Sequence, residues 1–87
     1  MAEPVTLFGA DRRQGEALRR LEAILFASAR PLTEADLAER LPEEEDLPQR
    51  LRQLQTVYSG RGVNLVEVAD GWAFRTAPDL AHLMVAE

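Results

Sequence analysis

Apolar residues fall at helical spacing from Gly15 onward. Leu18, Leu21, Ile24 and Leu25 share one side of the chain, while Arg19 and Arg20 take the others. The run predicts a helix that stops at Arg30-Pro31, because a residue preceding proline is driven out of the α region. Phe26 lies about 100° beyond Leu25 and therefore off that stripe, available for a second contact. Thr33 then opens a second helix: its hydroxyl can accept an orphan amide, and Asp36 three residues later suits the positive helix end. Leu37, Ala38 and Leu41 form its apolar side, and Pro42 closes it after about two turns. A third helix follows, capped by Asp46 with Gln49 three residues on and Pro48 in its first turn. Leu47, Leu51, Leu54 and Tyr58 carry its apolar spacing, and Ser59-Gly60-Arg61-Gly62 supplies the left-handed positions of a helix exit.

Beyond Gly62 the period changes. Val63 to Ala69 is rich in β-branched residues, Asp70-Gly71 has the composition of a two-residue hairpin turn, and Trp72 to Thr76 returns. That turn pairs Ala69 with Trp72, Glu67 with Phe74 and Leu65 with Thr76. One face then carries Val63, Leu65, Ala69, Trp72 and Phe74 as the core side. The other carries Asn64, Val66, Val68, Ala73 and Arg75. Thr76 to Asp79 repeats the capping logic and starts a last helix with Leu80, Leu83 and Met84 on one side. The predicted fold is mainly α with a small β-hairpin, a winged helix-turn-helix. Residues 1–14, with Pro4, Gly9 and no steady period, are expected to be a flexible N-terminal tail in which Val5, Leu7 and Phe8 are free to dock; residues 15–87 are the winged-helix domain.

Charge narrows the function. The 87-residue chain has 10 basic residues, all arginine, against 15 carboxylates, a net charge of −5. Phosphate contacts dominate nucleic-acid affinity, so such binders usually carry a basic excess. A helix-turn-helix places the start of its second helix in the major groove, and here that position is Glu43-Glu44-Glu45-Asp46. Residues 31–58 hold seven carboxylates (Glu34, Asp36, Glu39, Glu43, Glu44, Glu45 and Asp46) against Arg40, Arg50 and Arg52. Such runs are ordinarily solvated, helix-favouring N-termini; here the run also argues against insertion into a groove. Under a DNA-binding reading, Arg50 and Arg52 are the candidate backbone contacts. Arg12, Arg13, Arg19 and Arg20 form the one basic cluster, most simply a helix surface paired with Glu16 and Glu22.

Candidate chemistry is sparse. Without cysteine there is no disulfide, thiolate nucleophile or cysteine-ligated metal, a composition that fits a reducing cytoplasm. His82 is the single imidazole and reads as a helix residue near the chain end. Ser28 and Ser59 have no basic partner nearby, and Gly60-Arg61-Gly62 lacks the following helix of a phosphate loop. No enzyme, metal or cofactor is expected, and no apolar run approaches the roughly 20 residues of a membrane span. The hairpin face holding Val66, Val68 and Ala73 is more apolar than a solvated face requires, and Phe26 lies off its helix stripe. Patches of this kind mark interfaces, against the simpler alternative that the last helix covers the valines and Phe26 widens the core. With Arg75 beside them, Phe26, Val66, Val68 and Ala73 are the candidate protein-interface residues.

The stretch Leu21-Glu22-Ala23-Ile24-Leu25-Phe26-Ala27-Ser28, then Pro31-Leu32-Thr33, Leu37 and Leu41, resembles the opening of the segregation and condensation protein B family, ScpB. The resemblance continues through Leu51, Leu54, Tyr58, Arg61-Gly62-Val63, the run Leu65 to Ala69, Gly71 to Thr76 and Pro78. It implies tandem winged-helix domains, of which this sequence matches the first and lacks the second, so that it is expected to be a fragment or a shortened relative. It further implies a homodimer, binding to the kleisin ScpA and through it to the SMC ATPase, and a cytoplasmic, nucleoid-associated role in chromosome condensation and segregation without catalysis. The competing expectation is a winged-helix transcriptional regulator that binds DNA.

Overall fold

The computed structural model describes residues 12–84. Helix α1 spans Arg12–Ala27, α2 Glu34–Arg40 and α3 Leu47–Val57; strands β1 (Val63–Val68) and β2 (Gly71–Thr76) form an antiparallel hairpin, and a 3-10 helix runs Pro78–Met84. This is the winged helix-turn-helix, a helix pair α2–α3 followed by a two-stranded wing. Helix α1 begins three residues before the predicted Gly15. The rest of the expected tail, residues 1–11, lies outside the described residues.

Local signals set the helix ends. Thr33 accepts the Asp36 amide through its hydroxyl at 3.0 Å, and the Asp36 carboxylate accepts the Thr33 amide at 3.0 Å, a complete capping box. Asp46 accepts the Gln49 amide at 3.3 Å, with Pro48 in the first turn of α3. Gly60 takes φ +80° after α3, a conformation that favours glycine.

The leucine stripes converge on one core: Leu18, Leu21 and Leu25 from α1, Leu37 from α2 with Leu41 at its cap, Leu47, Leu51 and Leu54 from α3, and Leu65 and Trp72 from the hairpin. Ala38, expected on the apolar side of α2, is exposed instead. Leu32 joins the core from the α1–α2 link. Its amide donates to the Trp72 carbonyl at 3.0 Å and its carbonyl accepts from the Trp72 amide at 2.8 Å, so the link acts as a one-residue third strand beside β2.

That bridge corrects the predicted hairpin. Val68 pairs with Gly71, Glu67 with Trp72 and Leu65 with Phe74, so the turn residues are Ala69 and Asp70, not Asp70 and Gly71. Ala69 accepts φ +55°. Gly71 serves the seam instead: a Cβ there would lie 2.9 Å from the Leu32 carbonyl oxygen. The slip from prediction is two residues, and side chains alternate with period two, so side chains within the two strands keep their predicted faces, whereas Ala69, assigned to the core side, becomes an exposed turn residue. Two further expectations change. Val63, assigned to the core side, is 37% exposed at the open end of the hairpin, and the final segment is a 3-10 helix whose Leu83 and Met84 stand exposed.

Candidate interaction surface

Helical geometry separates two faces of α1. Leu18, Leu21 and Leu25 point into the core, whereas Arg19, Ala23 and Phe26 recur at four and three residues along another line. Phe26 is 74% exposed, the highest value among the exposed large apolar side chains described. Across from it the hairpin presents Val63 and Phe74. Phe74 meets Tyr58 edge to face, with centroids 4.9 Å apart and planes at 62°. Between α1 and these side chains runs a groove of about 500 Å³ lined by Ala23, Phe26, Tyr58, Val63 and Phe74, with Arg19, Arg20 and Glu22 as its charged lining.

Glu22 does not pair with the α1 arginines as expected. It accepts a hydrogen bond from the Tyr58 hydroxyl, which ties the end of α3 to the middle of α1. That bond, together with partial burial, raises the Tyr58 phenol above its ordinary value of 10.0. The Arg61 guanidinium lies over the Tyr58 ring, 5.4 Å from its centre. Glu16 takes both neighbouring arginines, Arg19 and Arg20, at 3.2 Å each.

A second groove of about 230 Å³ brings Phe26 together with Ala73 and Arg75, alongside Pro31, Val63 and Thr76. Three of the five residues expected at an interface thus line one hollow. Val66 is the cross-strand partner of Ala73 and continues the same face, half-buried. Val68 sits two residues further, opposite Gly71 at the turn, and lines neither groove that contains Phe26. Arg75 is exposed. The sequence pattern missed Ala23 and Val63. A small residue three positions before an off-stripe aromatic was the available signal for Ala23, whereas Val63 was masked by the assumption that its whole strand face is buried.

The helix pair has the opposite character. Arg50 donates to Glu44 at 3.1 Å, both side chains about one-fifth exposed, and to Gln53 at 3.1 Å. Arg52 lies 3.6 Å from Glu67 on the wing and 5.2 Å above the Trp72 ring. Glu43 reaches Arg20 at 3.9 Å, and Asp46 is the cap of α3. Both arginines that a DNA reading needs therefore face carboxylates of their own chain. The hollow at the start of α3 is lined by Glu16, Glu43, Glu44, Glu45 and Asp46, with Arg20 and Arg50. A phosphate chain meets net negative charge there. Among the described residues, no group of three or more His, Cys, Asp or Glu is placed to hold a metal ion, and His82 is exposed on the final 3-10 helix. No described helix is long and apolar enough to cross a membrane.

Comparison with known proteins adds three findings. The sequence profile of the family described as segregation and condensation complex subunit ScpB matches residues 19–86. A segregation and condensation protein B homolog from Coxiella burnetii (strain RSA 493 / Nine Mile phase I) is 39% identical over 66 residues, covering 70% of this chain and 32% of the relative. The crystal structure of a conserved hypothetical protein from Chlorobium tepidum superposes with a TM-score of 0.73 at 27% identity, over 83% of this chain and 48% of that one. The chain thus spans about a third of the curated relative and about half of the solved structure.

Proposed function

Because the chain belongs to the ScpB family of segregation and condensation complex subunits, we propose that it acts without catalysis in the SMC–ScpA–ScpB condensin-type complex, pairing with a second copy of itself and binding the kleisin ScpA. In this reading the contact surface is the α1–hairpin face, with Phe26, Ala73 and Arg75 at its centre and Val66 continuing it. Val68 contributes at the edge. Its role is chromosome condensation and segregation, and it is cytoplasmic and joins the nucleoid through the complex.

The observation that carries the reading is Phe26. A phenylalanine 74% exposed, beside an exposed Val63 and two grooves, is unfavourable in water and gains on burial. Fully covering a side chain of this class contributes about 1.5–3 kcal/mol, enough for a cluster of such residues to support association. The DNA-binding alternative gains nothing comparable, since Arg50 and Arg52 are paired with Glu44 and Glu67.

Light scattering on the chain alone and mixed with ScpA tests the reading. A dimer alone and a heavier co-eluting species in the mixture support it; a monomer that passes ScpA unretained contradicts it. Val66→Glu yields a folded monomer if that face is the contact. Loss of the folded state instead places Val66 in the core and removes it from the surface.

A further inference from the structure

The outer edge of β2 is bridged at one residue and open beyond it. Leu32 and Trp72 exchange both backbone hydrogen bonds, at 3.0 and 2.8 Å, so the amide and carbonyl of Trp72 face away from β1. Backbone groups of an antiparallel strand alternate sides with period two. The Ala77 amide, on the opposite phase, donates to the Gly62 carbonyl at 2.8 Å on the β1 side. Phe74 and Thr76 therefore direct amide and carbonyl outward, as Trp72 does. The α1–α2 link does not follow them. The carbonyl of Arg30, the residue due opposite Phe74, accepts instead from the Ser28 hydroxyl at 2.8 Å, and that of Pro31 accepts from the Arg30 guanidinium at 3.2 Å. The chain peels away after one paired residue. Between it and the edge lies the groove of about 230 Å³, lined by Arg30, Phe74 and Thr76 together with Phe26 and Arg75.

An unpaired strand edge is a template for one more strand, because its amides and carbonyls already stand in register. Charge selects what can add here. The charged residues lining this groove are Arg30 and Arg75, with no carboxylate among them. Arg30 has Asp36 at 3.4 Å, whereas Arg75 has no ion pair among the described residues. On a chain of net charge −5 this groove is locally positive. We propose that the Phe74–Thr76 edge takes up an extended acidic segment of another polypeptide as an added strand. The segment's backbone pairs with Phe74 and Thr76. Its side chains alternate, one apolar group lying on Phe26 and Phe74 and a carboxylate on the other face meeting Arg75. A second copy meets this face without joining edge to edge, because two β2 edges laid together bring Arg75 of both chains to one seam. The edge and its charges depend on neither the dimer nor ScpA, so this occupancy goes beyond the proposed function.

Hydrogen exchange of the Phe74 and Thr76 amides, followed by NMR in the full chain, reads the edge. The probe is a blocked hexapeptide of alternating valine and glutamate, beside a valine–lysine counterpart. Without peptide both amides exchange as unpaired groups. At about ten times its Kd the acidic peptide slows them roughly tenfold, the basic one leaves them unchanged, and Arg75→Glu reverses which peptide protects. Unchanged exchange at millimolar acidic peptide overturns the proposal. Equal protection by both peptides also overturns it, by removing the part given to Arg75. So does protection that grows with protein concentration alone, which assigns the edge to a second copy. A chain that pairs and retains ScpA while both amides stay unprotected keeps the proposed function and loses the added strand; a monomer that passes ScpA unretained yet shows the acidic-peptide protection does the reverse.

Discussion

The helix pair and the α1–hairpin face share one leucine core but meet solvent in opposite ways. Around the helix pair, charges close on one another: Arg50 with Glu44, Arg52 with Glu67 on the wing and Glu43 with Arg20 of α1. The exposed pairs among them, Arg52–Glu67 and Arg20–Glu43, contribute little stability, typically about 0–1 kcal/mol. Their consequence here lies in availability, because arginines held by carboxylates of the same chain are poor ligands for phosphate. On the α1–hairpin face Phe26 and Val63 stand uncovered. The surface that reads DNA in other winged helices is self-neutralised, and the surface on the other side of the core carries the unfavourable exposure. A fold alone therefore does not assign the ligand; the side chains on each face do.

Gly71 is where this contrast breaks most severely. The hairpin is held to the α1–α2 link through the Leu32–Trp72 bridge, and Gly71→Ala drives a methyl to 2.9 Å from the Leu32 carbonyl oxygen. Overpacking of this kind costs about 1–3 kcal/mol. The expected outcome, read by thermal denaturation, is a lower Tm with loss of the apolar surface as the hairpin shifts. An unchanged Tm means the seam yields and the bridge is not what positions Phe74 and Val63.

The helix pair offers a smaller test. Thr33→Ala removes the acceptor of the Asp36 amide and is expected to cost about 1 kcal/mol, leaving the oligomeric state alone because α2 lies away from Phe26. The hydrogen bonds from Thr33, then the nearby Arg30, hold the Asp36 carboxyl below its ordinary 3.8. Its lowered value means the folded state prefers the ionised form. The contribution is present above pH 3.8 and is lost as pH falls through the folded value. Melting curves taken through that acid range should show the loss in the unaltered chain and a weaker one in Asp36→Asn.

The smallest effect lies at the join between the regions. Tyr58 is the single tyrosine, and its hydrogen bond to Glu22 raises its titration above 10.0. The folded state prefers the protonated phenol, so this contribution is complete below pH 10.0 and is lost as pH rises through the folded value. Absorbance titration of Glu22→Gln should return the phenol toward its ordinary value; an unmoved titration would remove Glu22 as the cause.

Much of this architecture was legible in the chain because its signals are local. The Thr33 capping box, the Asp46 cap, Pro42 as a stop and the leucine spacing each act within a few residues, and each stands in the structure as read; the first helix ends at Ala27, three residues before the Arg30-Pro31 stop that was expected. The hairpin register was not legible, since Asp70-Gly71 has the composition of a turn and nothing local reveals that Leu32, nearly forty residues earlier, needs Gly71 bare. The faces survived because a slip of two preserves alternation. For the surface, Phe26 was readable from helical angle alone, whereas its meeting with Ala73 and Arg75 depends on how the hairpin packs beside α1. The groove beside it was not, because it depends on Tyr58 reaching across to Glu22 and on Val63 lying at an open strand end. That Glu44 and Glu67 engage Arg50 and Arg52 likewise shows only when the turn and the wing bring those carboxylates near.

The central claim is that this winged helix meets polypeptide through Phe26 and not nucleic acid through α3. Sedimentation equilibrium of the unaltered chain beside Phe26→Glu addresses it most directly, because a surface substitution at an exposed site leaves folding nearly unchanged. The account predicts twice the chain mass for the former and a single folded chain for the latter. Equal masses for the two would contradict it.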